Sequence, residues 1–208
     1  MNRYLVCLLL GTSSLAWADG TFSTIPGWHM GWRNRGEYTL TIDRSDAYNG
    51  TSSAVLVSRP DLLPGGFASI VQFATADQYR GRRVHLSCAL KTSGVQDWVG
   101  LWIQADDMDS SGVRTVVGES IQGKKNGGVH GDTPWHTYSL VLDIPEHSSS
   151  ITYGAELSGI GKVWFDSVQI EVVAQDVPVS LKTGATGTRY PPPLHAVLAA
   201  PTNLDFEE

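Results

Sequence analysis

A stretch of alternation from Tyr79 to Ala105 constrains this chain more than any other feature in it. Val84, Leu86, Cys88 and Leu90 are interleaved with Arg83, His85, Ser87, Ala89 and Lys91. A period of two with one apolar face is the pattern of a half-buried β-strand. After Thr92-Ser93-Gly94, a turn signal, residues 98–103 (WVGLWI) resume as a second strand, apolar on both faces apart from Gly100. Such a strand is covered on both sides or carries a ligand on one of them. The two are predicted to be joined by a turn in the middle of an antiparallel sheet.

Further strands are predicted over residues 37–43, 53–59, 67–74, 113–121, 135–142, 151–157 and 162–173, separated by turn signals such as Asn49-Gly50 and the Gly123–Gly128 run. A WHMGW segment, Trp28 to Trp32, reads as a Gly-hinged aromatic loop. No helical period is present. About nine short strands predict an all-β fold, a two-sheet antiparallel jelly-roll β-sandwich. From Pro178 the composition shifts to Thr, Gly and Pro, so the expected organisation is a sandwich over residues 19–177 and an extended tail over 178–208.

The first 18 residues read as a signal peptide: a basic Asn2-Arg3, an apolar Leu5–Leu10 run and an Ala16-Trp17-Ala18 cleavage site. The apolar run is well short of the ~20 residues a membrane span requires. The expectation is an exported protein, periplasmic or extracellular, with a mature chain starting at Asp19 and no span within it. Of the two cysteines, Cys7 leaves with the leader. Cys88, on the apolar face of its strand, reads as a small buried hydrophobe, so the fold is expected without disulfides. A formal charge of -6 with no basic run argues against nucleic acid as a partner. A neutral ligand meets no such barrier.

Taken together, several residues carry a family resemblance: Trp32, Tyr38, Asp43, Gly50, Ser53-Ala54, Tyr79-Arg80-Gly81, Leu90-Lys91-Thr92, Gly100-Leu101-Trp102 and Val163-Trp164-Phe165-Asp166. Over about residues 28–173 the chain resembles the galactose-binding-like jelly-roll modules, which include many carbohydrate-binding modules. It is most similar to exported or regulator-linked bacterial modules whose ligands are mostly unassigned. Such modules commonly begin with an N-x-F-E strand, which nothing before Trp28 supplies. Asn203-Leu204-Asp205-Phe206-Glu207 stands at the C-terminus instead. Residues 202–208 are expected to return as the missing edge strand, the alternative being the opening of a second module. The resemblance also implies a candidate structural Ca2+ held by Asp166 and Glu207 with Asp46 as a third carboxylate. The alternative is that Asp166 caps backbone N–H groups and Glu207 is solvated.

Sugars are recognised by aromatic rings against pyranose faces, with amides and carboxylates reading the hydroxyls. Trp98, Gly100, Trp102 and Gln104 share one face of a strand, with Gly100 leaving room for a ring. That face is a platform or the core, and both readings stand. Trp28 with His29 is the best exposed aromatic pair, and Trp32 lies beside it. The expected carbohydrate-binding set is therefore Trp28, His29, Trp32, Trp98, Trp102 and Gln104. Catalytic candidates are Glu119, His130, Asp132, His136 and Tyr138, grouped around a Gly-rich loop as a lyase or hydrolase would need. G-x-S-x-G and H-E-x-x-H motifs are absent. The reading is a non-catalytic exported module for carbohydrate or cell-envelope glycan. A module that binds another envelope protein is the alternative, and a polysaccharide lyase or hydrolase comes third.

Overall fold

The computed structural model describes residues 25–33, 37–62, 64–109, 112–121, 128–180, 189–190 and 196–208. Residues 1–24, which include the expected leader, and residues 122–127 of the loop before Val129 lie outside them, as does Leu63. No helix occurs among the described residues, and none is long and apolar enough to cross a membrane. In chain order the strands are β1 (His29–Arg33), β2 (Tyr38–Asp43), β3 (Ser53–Ser58), β4 (Phe67–Thr75), β5 (Arg83–Asp109), β6 (Gly112–Ser120), β7 (Val129–Asp143), β8 (Ser150–Ser158), β9 (Lys162–Val173) and β10 (Arg189–Tyr190).

The organising strand is β5. The expected turn at Thr92-Ser93-Gly94 does not reverse the chain. Gly94, at φ +61, lies inside one continuous strand that passes from one half of the sheet to the other. Residues 83–93 pair with β9 and residues 83–90 with β7, whereas residues 98–106 pair with β8 and residues 102–109 with β6. The ladder on β7 shifts register between Leu90 and Val99, and a strand that changes sheets through such irregularities makes the corner of a sandwich. The two predicted strands are thus not partners of each other. They are the central strands of the two halves of one ten-stranded antiparallel sheet, β2-β3-β9-β5-β7 and β1-β4-β8-β5-β6, which share β5, with β10 added beside β6.

The alternation legible in the sequence settles what faces inward. Val84, Leu86, Cys88 and Leu90 come from one half and Val99, Leu101, Ile103 and Ala105 from the other, and all are buried. Tyr153, Ala155, Leu157, Val163 and Phe165 fill the space between them. Cys88 is a free thiol sealed in this core, and burial pushes its pKa well up.

Residues 196–208 fold back onto the sandwich as a turn, not as a strand. Leu198 makes a single parallel bridge to Ala74, with hydrogen bonds of 2.8 Å and 2.9 Å to Thr75 and Phe73, on the part of β4 that β1 leaves unpaired. Phe206, 0% exposed, enters the core. The Trp28 indole N–H donates to the Asn203 carbonyl at 2.8 Å.

Candidate functional site

Trp28 is where the strongest expectation fails. It is 1% exposed and packs against Phe206, Phe165 and Tyr153 at centroid separations of 5.1, 5.4 and 5.7 Å. The segment is not a loop over most of its length, because His29–Arg33 is an edge strand, so Trp28 turns into the core while His29 stands opposite Val71 on the outer face. The half-buried His29 ring lies 6.2 Å from that of Phe73. Strand geometry therefore splits the expected exposed pair. Trp32 stands opposite Ala68 in the same strand, and its side chain lies outside the described residues.

The Trp98–Gln104 face has the opposite outcome. Val99, Leu101 and Ile103 take the core, so Trp98, Gly100, Trp102 and Gln104 point away from it, and all but Gly100 are half-buried. Register places Ser158, Glu156, Gly154 and Thr152 of β8 opposite these four, and Phe67, Ser69, Val71 and Phe73 of β4 beyond them. Two diagonals result. Trp102 and Glu156 rise as walls, while Gly100 and Gly154 leave a buried floor between them. No side chain can replace Gly154, because a Cβ there would land on the backbone carbonyl of Ile70. The face is a trough.

Two of its polar groups are incompletely paired. The Trp102 Nε1–H is buried and has no acceptor among the described residues. In contrast, the indole N–H groups of Trp135 and Trp164 are satisfied by Asp46 at 2.9 Å and Asp43 at 2.8 Å. An orphan buried donor is costly unless something occupies it. Burial raises the Glu156 carboxyl to about 7, against a weak 3.4 Å hydrogen bond from the Ser69 hydroxyl, so near neutrality it both donates and accepts. Farther along, Asp106 accepts from Gln104 Nε2 at 3.0 Å, Thr115 Oγ1 at 3.0 Å and Thr152 Oγ1 at 2.9 Å. Burial raises its pKa too. Sequence reasoning missed Glu156, Ser69 and Asp106. A signal for Glu156 was present in S-I-T-Y-G-A-E-L-S, whose period of two assigns it to the face of Gly154.

The expected metal set does not assemble. Asp46 is committed to Lys91 and Trp135 on the outer face of the other half of the sheet, where Lys91 and Lys162 lie 4.9 Å and 3.9 Å from the Trp164 ring centre. Asp166 accepts backbone N–H groups of Tyr48 and Asn49 on one oxygen and of Ser167 on the other. Glu207 accepts the N–H groups of Thr51 (2.6 Å) and Ser52 (3.0 Å) and the Thr51 hydroxyl (2.5 Å). These hydrogen bonds hold the Glu207 carboxyl below its usual range. Calcium takes 6–8 oxygens, and carboxylates already filled by donors from the protein do not fit that demand. Among the described residues no group of three His, Cys, Asp or Glu side chains could hold a metal.

The catalytic candidates do not converge either. Glu119 stands opposite Ile103, and its side chain lies outside the described residues. His136 and Tyr138 stand opposite Leu90 and Cys88, toward the other end of β5. The His136 ring meets that of Tyr138 edge-on at 4.9 Å, and Asp132 accepts the Gly94 N–H at 2.7 Å. His130, exposed, lies with Nδ1 3.4 Å from the Gly128 carbonyl.

With this geometry in hand, comparison with known proteins is informative. No protein-family model matches the chain. Among solved structures, it matches, with a TM-score of 0.53 at 18% identity, part of a structure of the CBM22-1 and GH10 modules of Clostridium thermocellum endo-1,4-beta-D-xylanase 10B complexed with xylohexaose, covering 76% of this chain and 28% of that one. A structure described for the promiscuous specificity of carbohydrate-binding modules of the β-sandwich superfamily gives a TM-score of 0.50 at 16% identity, covering 71% of this chain and 58% of that one. The fold is that of a carbohydrate-binding-module-like jelly roll. The enzymatically active domain of bacteriophage CBA120 tailspike protein 4 also matches, with a TM-score of 0.53 at 20% identity over 77% of this chain and 21% of that one. In sequence, the chain is 36% identical over 182 residues to an uncharacterized HTH-type transcriptional regulator of Bacillus subtilis, spanning 88% of this chain but only 57% of the regulator.

Proposed function

We propose that this chain is an exported, non-catalytic binding module whose ligand is a carbohydrate held in the trough between β5, β8 and β4. One observation carries the reading: Trp102, with an unsatisfied indole N–H, stands opposite Gly154 and diagonal to Glu156, with Gly100 and Gly154 as a floor. Indole and carboxyl around a shallow apolar floor are the groups that grip a pyranose, through its C–H face and its hydroxyls respectively. The match to CBM22-1 and to other carbohydrate-binding modules supports the same reading. Dispersal of Glu119, His130, Asp132, His136 and Tyr138 along β6 and β7 favours binding over cleavage.

The similarity to an HTH-type regulator fits this view. A helix-turn-helix consists of helices, and this chain has none among its described residues, so the shared part is a recognition module and not the DNA reader. Export rests on the leader-like residues 1–18 and is checked by the mass of the secreted chain, which should begin at Asp19.

Native gel electrophoresis through soluble polysaccharides, followed by calorimetry, tests the function. Retardation of the wild type and its loss in Trp102→Ala is the expected result. A folded wild-type protein that no glycan retards would sink the reading, and would leave an envelope protein as the partner to seek. Release of reducing ends or unsaturated products would sink the non-catalytic part alone.

A further inference from the structure

Glu156 is an acid without a cation. Half-buried on the trough face, it stands opposite Gly100 on β5 and Ser69 on β4, and it accepts only the 3.4 Å hydrogen bond from the Ser69 hydroxyl among the described residues. Trp98 and Trp102 lie diagonal to it, one on each side of Gly100. Every ion pair of a Lys or Arg among the described residues uses another carboxylate.

The surroundings are acidic as well. Burial first, and then the charges of Glu37, Asp97 and Glu156, hold the Tyr38 hydroxyl above its ordinary range. Glu37 keeps a buried carboxyl oxygen, Oε2, without a partner, and the exposed Asp97 carboxylate lies against Gly159 beside Ser158. The other titratable groups on this face are Asp106, buried farther along β5, and His29 of β1, half-buried opposite Val71. The side chain of Arg33, opposite Phe67, lies outside the described residues.

Two unmet demands therefore sit on one diagonal, about 7–8 Å apart along the sheet. The orphan Trp102 N–H needs an acceptor, and a carboxyl in a negative field is best served by a positively charged donor. A sugar hydroxyl meets the first demand, but it gives Glu156 only an ordinary hydrogen bond, roughly half as strong as a charge-assisted one. An ammonium group meets the second demand and is also favoured near an indole face. A uronate would meet only repulsion. We infer that the trough prefers an amino sugar with a free ammonium group, placed at Glu156 while a hydroxyl oxygen of the same or the adjoining unit takes the Trp102 N–H. This rests on the glycan reading above and goes beyond it by naming the class of sugar.

Charge, at constant linkage and length, is the variable to test. Calorimetry on the full chain at pH 6 would compare a β-1,4-linked glucosamine hexamer with its fully N-acetylated counterpart. The glucosamine hexamer is expected to bind at least about tenfold more tightly. Burial raises the free Glu156 carboxyl to about 7, so it is protonated at pH 6, and pairing with ammonium expels close to one proton. Binding heats in buffers of different ionisation enthalpy count that proton. Glu156→Gln should remove both the preference and the proton release while leaving the acetylated hexamer within about threefold of the wild type. Equal or tighter binding of the acetylated hexamer, or a preference that Glu156→Gln retains, would overturn the inference and leave the glycan reading intact. Binding of neither hexamer would overturn it too, and the wider polysaccharide screen then decides the glycan reading separately.

Discussion

Trp102 and Glu156 occupy diagonal positions on one face, and each has its own measurable signature. Removing the Trp102 ring takes away both stacking surface and an N–H donor, so Trp102→Ala should cost at least tenfold in glycan affinity, about 1.4 kcal/mol or more. Trp102→Phe keeps a ring and should fall between the wild type and Ala. Glu156 links stability to pH. Its carboxyl is raised to about 7 by burial, above its unfolded value near 4.5, so the folded state holds the proton more tightly than the unfolded one. Its contribution is fully present below about pH 4.5 and is lost as pH rises through about 7. The wild type should lose about 2–3 kcal/mol between pH 5 and pH 8 through this group, allowing for its partial exposure. Glu156→Gln should flatten that slope in urea titrations at the two pH values. An unchanged slope would mean that Glu156 is ionised in the fold without cost.

At the scale of elements, the C-terminal segment is the clearest test. Phe206 inserts into the core against Trp28 and Phe165, so Phe206→Ala should destabilise by about 3–5 kcal/mol, as large aromatic truncations in cores do. Denaturant unfolding of the full chain measures this directly, and a loss below 1 kcal/mol would mean that the segment is not seated in solution. Trp28→Phe tests the same region from the other side. It gives up the 2.8 Å bond to Asn203 and some packing, and should lower the melting temperature without changing the affinity of the folded protein for glycan. A Trp28→Phe protein that folds normally but binds weakly would restore Trp28 to the site. The alternation in residues 83–91 and 98–103 was a correct guide to which side chains enter the core, although Ser87 and Ala89 on the other face are buried too. It could not distinguish a hairpin from a bent strand, because Thr92-Ser93-Gly94 satisfies both and only the partners on each side choose between them.

For the molecule as a whole, the clasp formed by Asp166 and Glu207 predicts independence from calcium. Their oxygens are filled by N–H and O–H donors of residues 48–52 and Ser167, so EDTA or added Ca2+ should move the melting temperature by less than about 1 °C, a shift on the scale of a few tenths of a kcal/mol. A rise of several degrees with Ca2+ would show that the clasp rearranges around a metal. What the sequence determined by itself was the class of fold and the faces of its strands, because a period of two is a local property that survives any arrangement of neighbours. It also marked Trp98, Trp102 and Gln104 as one face. The tertiary structure alone decided that this face points away from the core, that Trp28 points into it, and that Glu156 and Asp106 join a trough with residues far away in the chain. Burial and register are made by pairing between distant strands, and one chain's pattern does not say which strand lies beside which.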